Sequence, residues 1–194
     1  IAGRAGRYLN DGSFGITGDC KEINSEDVDL IENHKFEEIR TLFWRNSNLN
    51  FNNASSLIKS LDEKPQKNWL RKIYECEDEK ALKFFLGDKN LESIDFDKEK
   101  LKLLWECCQI PDFVKKTYGN HIDVVEKVFS FLNGKNGKIT SNFMHLQLMK
   151  LDKLDGNVDS LSNRIANVRT WSYVSNKNNW VENQNYWIEK TKLL

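Results

Sequence analysis

The sequence has no surplus of charge of either sign: 29 basic and 29 acidic residues leave a formal net charge of zero over 194 residues. A neutral balance excludes reading the chain as a general polyanion binder on charge alone. No run approaches the ~20 apolar residues of a membrane span, so no membrane partner is expected. No segment pairs a charged lead with an apolar core as a signal peptide does. Cysteine is scarce, and Cys107 and Cys108 are adjacent, a poor geometry for a mutual disulfide. There is no C-x-x-C, and His34, His121 and His145 are scattered without ligand spacing, so no metal is expected. Cys20, Cys76 and the adjacent pair read as reduced thiols of a cytosol-like compartment. Arginine is scarce too, seven residues against 22 lysines and 22 asparagines. Such a Lys/Asn bias fits an AT-rich coding sequence, so single lysines say little and arginines say more. No repeat of fixed period is visible. Heptad-like spacing lasts about two heptads, too short for a coiled-coil scaffold.

What is present suits a globular core: 39% of residues are apolar and 30% charged. The length suits one domain, or one domain with a piece of another. The chain opens on Ile1 without a structured lead-in and closes on a helix-compatible run with no stop signal, so it reads as a fragment of a longer protein. Residues 13–17 (S-F-G-I-T) alternate like a short strand. Acids after Ser25 suit a helix start, with Val28, Leu30 and Ile31 as its apolar face. Phe36, Ile39, Leu42 and Phe43 recur at helical spacing and predict a helix over 36–45. Further helices are predicted over 54–61, stopped before Pro65; over 81–86; along Leu101, Leu104, Trp105 and Cys108, ending at Pro111; along Ile122, Val125, Phe129 and Leu132; and over 143–154. Val158, Leu161, Ile165, Val168 and Ser172 keep a 3,4,3,4 spacing, which predicts the strongest helix in the chain and its most regular stripe. A last helix begins near Asn183 and carries Trp187. The fold class is therefore mainly α, with about eight helical segments after residue 24. Charge is uneven: residues 1–110 hold 17 basic and 21 acidic groups, and residues 111–194 hold 12 and 8. That mild tilt places any nucleic-acid surface in the second half.

The chemistry-bearing segment is I-A-G-R-A-G-R-Y at the start. Arg4 and Arg7 are three apart and each follows a glycine, Gly3 and Gly6. In a helix, that spacing puts both guanidinium groups on one face. Glycine before each lets the backbone approach a neighbouring surface. Paired guanidiniums suit a triphosphate, where charge spreads over the γ-phosphoryl oxygens during transfer. Two other segments look functional and read otherwise. Residues 132–143 carry glycine and isoleucine where a calcium loop does, but Leu132 and Phe143 stand at the acid positions, which predicts a turn between helices. Arg164, Arg169, Trp171 and Tyr173 interleave cations and rings, as a clamp for single-stranded nucleic acid does, although Trp171 lies beside the apolar stripe.

The opening octapeptide resembles motif VI of the superfamily 2 helicases, Q-x-x-G-R-x-G-R, with the glutamine falling just before Ile1. Segments at Phe43-Trp44-Arg45-Asn46, at 104–113 and at 155–173 resemble the helical C-terminal region of bacterial relatives of the mitochondrial-degradosome RNA helicase. The resemblance implies that residues 1–24 are the end of a second RecA-like α/β domain and residues 25–194 a helical accessory domain. It implies an ATP-dependent RNA helicase as parent protein, with ATP and Mg²⁺ held mainly by a RecA-like domain outside this sequence. Arg4 and Arg7 would be the finger arginines, and Gly3 and Gly6 the close-packing positions that complete the nucleotide contact. Implied partners are a single strand of RNA or DNA, that RecA-like domain, and a nuclease. The implied compartment is the bacterial cytoplasm, or the mitochondrion in a eukaryote.

The sequence contains no G-x-x-x-x-G-K-[S/T] loop and no D-E-x-H segment. The expectation is that this stretch alone neither binds ATP tightly nor hydrolyses it. The alternative is a non-catalytic helical module that docks RNA or a protein, with the opening motif incidental.

Overall fold

In a computed structural model, the structure describes residues 5–6, 10–35, 38–74, 76–87, 96–115, 118–153 and 155–194, with Tyr118 through its backbone only. The described residues are mainly helical, as expected: eight α-helices and a pair of three-residue strands. The chain divides into two compact units, one of residues 1–42 with 67–70 and one of residues 43–66 with 71–194. The first helix thus belongs with the opening segment and not with the helical body.

In the first unit, α1 (Ser25–Glu32) starts from Asn24, whose side chain accepts from the Asp27 backbone N–H at 2.7 Å. The cap is therefore one residue earlier than Ser25. Glu26 and Asp27 complement the partial positive charge of the helix start. The expected strand over 13–17 does not form; those residues carry no ladder hydrogen bonds. A strand exists through its neighbours, and none of the described residues here supplies one. No described residue of this unit is buried, and Val28, Leu30 and Ile31 are only half covered.

The helix expected over 36–45 is also absent from residues 38–45. Leu42–Trp44 is instead strand β1, paired in parallel with β2 (Leu70–Lys72). The Leu42 N–H donates to the Trp69 carbonyl at 2.9 Å, and the Ile73 N–H to that of Trp44 at 3.1 Å. Helical spacing was misleading because no surface covers the stripe: Ile39 is 79% exposed. The local run T-L-F-W, β-branched and aromatic, follows strand preference instead. Phe36 lies outside the described residues.

The second unit holds the core. Helix α2 (Ala54–Leu61) has the expected bounds, starts on Asn53 and buries Leu57 and Leu61. Helices α3 (Glu77–Gly87) and α4 (Lys98–Cys108) pack together, and α4 packs on α5 (Tyr118–Leu132). The predicted stripes Leu101, Leu104, Trp105, Cys108 and Ile122, Val125, Phe129, Leu132 are all buried. Helix α6 (Ser141–Met149) is capped by Thr140 and ends five residues before the expected Leu154, which lies outside the described residues. Helix α7 (Val158–Asn176) packs on α8 (Gln184–Leu193). A single parallel bridge, Ile139 to Val181, ties the α5–α6 turn to the α7–α8 turn.

Candidate functional site

Of the four motif residues, only Gly6 lies among the described residues; Gly3, Arg4 and Arg7 fall outside them. Gly6 has φ 71°, in the left-handed region, so no right-handed helix runs through it. The backbone around Gly6 is crowded by its own segment: a Cβ there would collide with the Asn10 carbonyl oxygen and stand 2.7 Å from the Gly12 nitrogen. Gly12 faces back in the same way, and a Cβ on it would run into the backbone of Ala5 and Gly6. The two glycines fold the segment into a tight loop that no side chain at either position permits.

Beside this loop lies an open hollow of about 820 Å³, lined in part by Gly6, Phe14, Ile23 and Val28. Its titratable described lining is Asp11, Glu22, Glu32 and His34, and no lysine or arginine stands among the described lining residues. Three carboxylates repel phosphate. The described residues by themselves thus do not fit a nucleoside triphosphate.

The second predicted site sits on α7, and the structure takes it apart. Trp171 is 4% exposed, with its ring edge-on to Phe143 at 5.8 Å, so it is core and offers no stacking surface. The Arg169 guanidinium lies 4.1 Å from the centre of the Phe113 ring. Arg164 donates from Nε to the Leu151 carbonyl oxygen. Tyr173 is half-buried, with the Lys177 ammonium 5.1 Å from its ring centre. The expected cation–ring clamp is not assembled; each cation has its own ring or carbonyl.

Sequence reasoning missed the charge node of the second unit. Arg45, just after β1, makes two parallel hydrogen bonds to Asp78, at 2.7 and 3.0 Å. Its guanidinium lies 5.0 Å from the Trp105 ring centre and 3.4 Å from Glu79 Oε1. Glu79 is 2% exposed, and its Oε1 is near enough for charge attraction yet receives no hydrogen bond. Burial pushes the Glu79 carboxyl above the ordinary carboxylate range, against the pull of Arg45 and Lys72. Lys72, itself buried, reaches Asp62 at 2.9 Å. The signal in the sequence was faint: one arginine that survives the lysine bias, distant from its acid partners along the chain. The node holds β1 to α3 and α4, and its groups are committed to one another.

Burial raises the thiols of Cys107 and Cys108, which disfavours the nucleophilic thiolate. His121 on α5 is buried with Nε2 unpaired, and burial lowers its pKa against the opposing charges of Asp112 and Glu77. Residues 133–137 form the turn expected between α5 and α6. Among the described residues no His, Cys, Asp and Glu cluster could hold a metal ion, and no helix is long and apolar enough to cross a membrane. Comparison with protein-family models, with curated proteins and with solved structures returns no match to this chain.

Proposed function

We propose that this chain is the stretch of an ATP-dependent RNA helicase that runs from motif VI of its second RecA-like domain into a helical accessory region. The observation that carries the reading is the octapeptide I-A-G-R-A-G-R-Y, with both glycines and both arginines at the motif's spacing. Two structural facts support it. Gly6 occupies a position that only glycine fills, as a motif glycine should. The first unit buries none of its described residues, as suits the end-piece of a domain whose neighbouring strands lie elsewhere. In this reading ATP and Mg²⁺ are bound chiefly by the other RecA-like domain. Arg4 and Arg7 are the residues of this chain that face the γ-phosphate, and they supply the cations that the carboxylate-lined hollow lacks.

The coding sequence upstream of Ile1 tests it first. A glutamine immediately before Ile1, then a phosphate-binding loop and a D-E-x-H-like segment further upstream, are expected; a start codon beside Ile1 would sink the motor reading. In the full-length protein, Arg7→Ala should lower the ATPase rate by about 10³-fold while nucleotide affinity changes much less. A second reading, a non-catalytic helical interaction module, draws on one observation: the second unit has its own continuous core and needs nothing from the opening motif to bury it. That reading expects Arg7→Ala to change nothing measurable.

A further inference from the structure

We propose that the first half of α7 docks an amphipathic helix of another protein, one whose apolar anchors are flanked by carboxylates. The most regular apolar stripe in the sequence is one the fold leaves partly uncovered. Val158 is 81% exposed and Ile165 57%, with Leu161 and Val168 half-buried beside them. The helix buries instead Thr170, Trp171, Val174 and Ser175, all in its second half. An apolar stripe at helical spacing with two of its positions open to solvent is the form that a helix-in-groove partner takes up.

The flanks say what kind of partner. Arg164 lies three residues after Leu161 and four before Val168, so it borders the stripe on their side. Arg169 lies four after Ile165 and borders the opposite side. Neither arginine has a carboxylate within ion-pair distance among the described residues, whereas Arg45 is held by two. Their present partners, the Leu151 carbonyl and the Phe113 ring, are neutral. An apolar stripe between two unneutralised cations complements a helix with acids on both sides of its own stripe. A second copy of this chain would bring its own arginines toward the same face, which like charge disfavours. Single-stranded RNA would find the cations, but the exposed residues between them are aliphatic, and bases stack on rings. The inference does not depend on the helicase reading.

The stripe spans about three helical turns, so a probe helix of about 14 residues covers it. Two synthetic alanine-based helices serve, each with leucine along one stripe; one carries glutamate on both flanks and the other lysine. The full chain should bind the glutamate peptide and not the lysine peptide. Ile165→Glu and Arg169→Ala should each weaken that binding by about tenfold or more, since one seats a charge on the stripe and the other removes a matched cation. Ile165 is exposed, so the fold should survive, as circular dichroism would verify; Val158→Ser is a second, milder variant with the same expected direction. Failure of the glutamate peptide to bind, or equal binding of both peptides, would overturn the proposal. So would binding that neither substitution alters. Oligouridine binding that Arg164→Ala and Arg169→Ala abolish would assign the face to RNA instead. Self-association in sedimentation that Ile165→Glu abolishes would assign it to a second copy.

Discussion

Glu79 is nearly sealed from water with one oxygen unserved, and Arg45 is the charge that makes this tolerable. Removing that charge leaves a buried carboxylate without its main counter-ion, which costs about 3 kcal/mol or more. Arg45→Ala should therefore lower the urea midpoint markedly, and adding Glu79→Gln should recover part of the loss. Additive losses in the double variant would mean that the two residues do not interact. His121 makes the opposite kind of test. Its folded pKa lies below the ordinary value of 6.5, because burial disfavours the imidazolium. The unfolded chain therefore takes the proton first, and stability is full above that value and declines as the pH falls below it. Urea unfolding between pH 7.5 and 5.5 should show the decline, and His121→Leu should flatten it. Gly6 gives a third. Any side chain there meets the Asn10 carbonyl and must also hold φ 71°. If the motor reading holds, Gly6→Ala in the full-length protein should depress ATPase activity by about tenfold or more through a displaced loop. An unchanged rate would show that the loop has no catalytic bearing.

At the scale of elements, asparagine proves more than a coding bias. Asn24, Asn53 and Asn157 each cap a helix by accepting from a backbone N–H of its first turn. Asn179 and Asn183 take left-handed backbone conformations on either side of the α7–α8 turn. Asn53→Ala should destabilise the second unit by about 1 kcal/mol, with thermal unfolding as the readout, because the first-turn N–H groups lose their acceptor. Helices whose predicted stripe is buried throughout, α4 and α5, were legible from spacing alone, since apolar periodicity and core contact coincide there. Spacing has one limit. The segment 38–45 and the first half of α7 both carry helical apolar spacing, and spacing cannot report whether another element arrives to cover it. In the first case a parallel strand partner won; in the second the expected helix formed, with Val158 and Ile165 of its stripe left exposed.

At the scale of the molecule, core and motif lie in different units. The helical body closes its own core from α2 through α8, while the opening unit buries none of its described residues. Removing residues 1–23 should therefore leave the main thermal transition within about 2 °C of the full chain, because little apolar surface leaves with them. A large drop would mean that the opening segment contributes to the core. The cavity beside the motif loop shows why the candidate site was only half legible. The glycine and arginine pattern lies in consecutive residues and needs no structure to be seen. The carboxylates of Asp11, Glu22 and Glu32 reach the same hollow only because the chain turns at Gly6 and Gly12 and returns through α1.

Sequence by itself determined what depends on neighbours along the chain: helical class, the bounds of α2, the stripes of α4 and α5, and the glycine–arginine motif. Tertiary structure alone decided what depends on neighbours in space. It placed Trp171 in the core, paired Arg45 with acids more than thirty residues away, made a strand of 42–44, and left Val158 and Ile165 on α7 facing water. The physical reason is that backbone preference and side-chain spacing act within a turn or two of chain, whereas burial and charge pairing are settled only when distant segments meet.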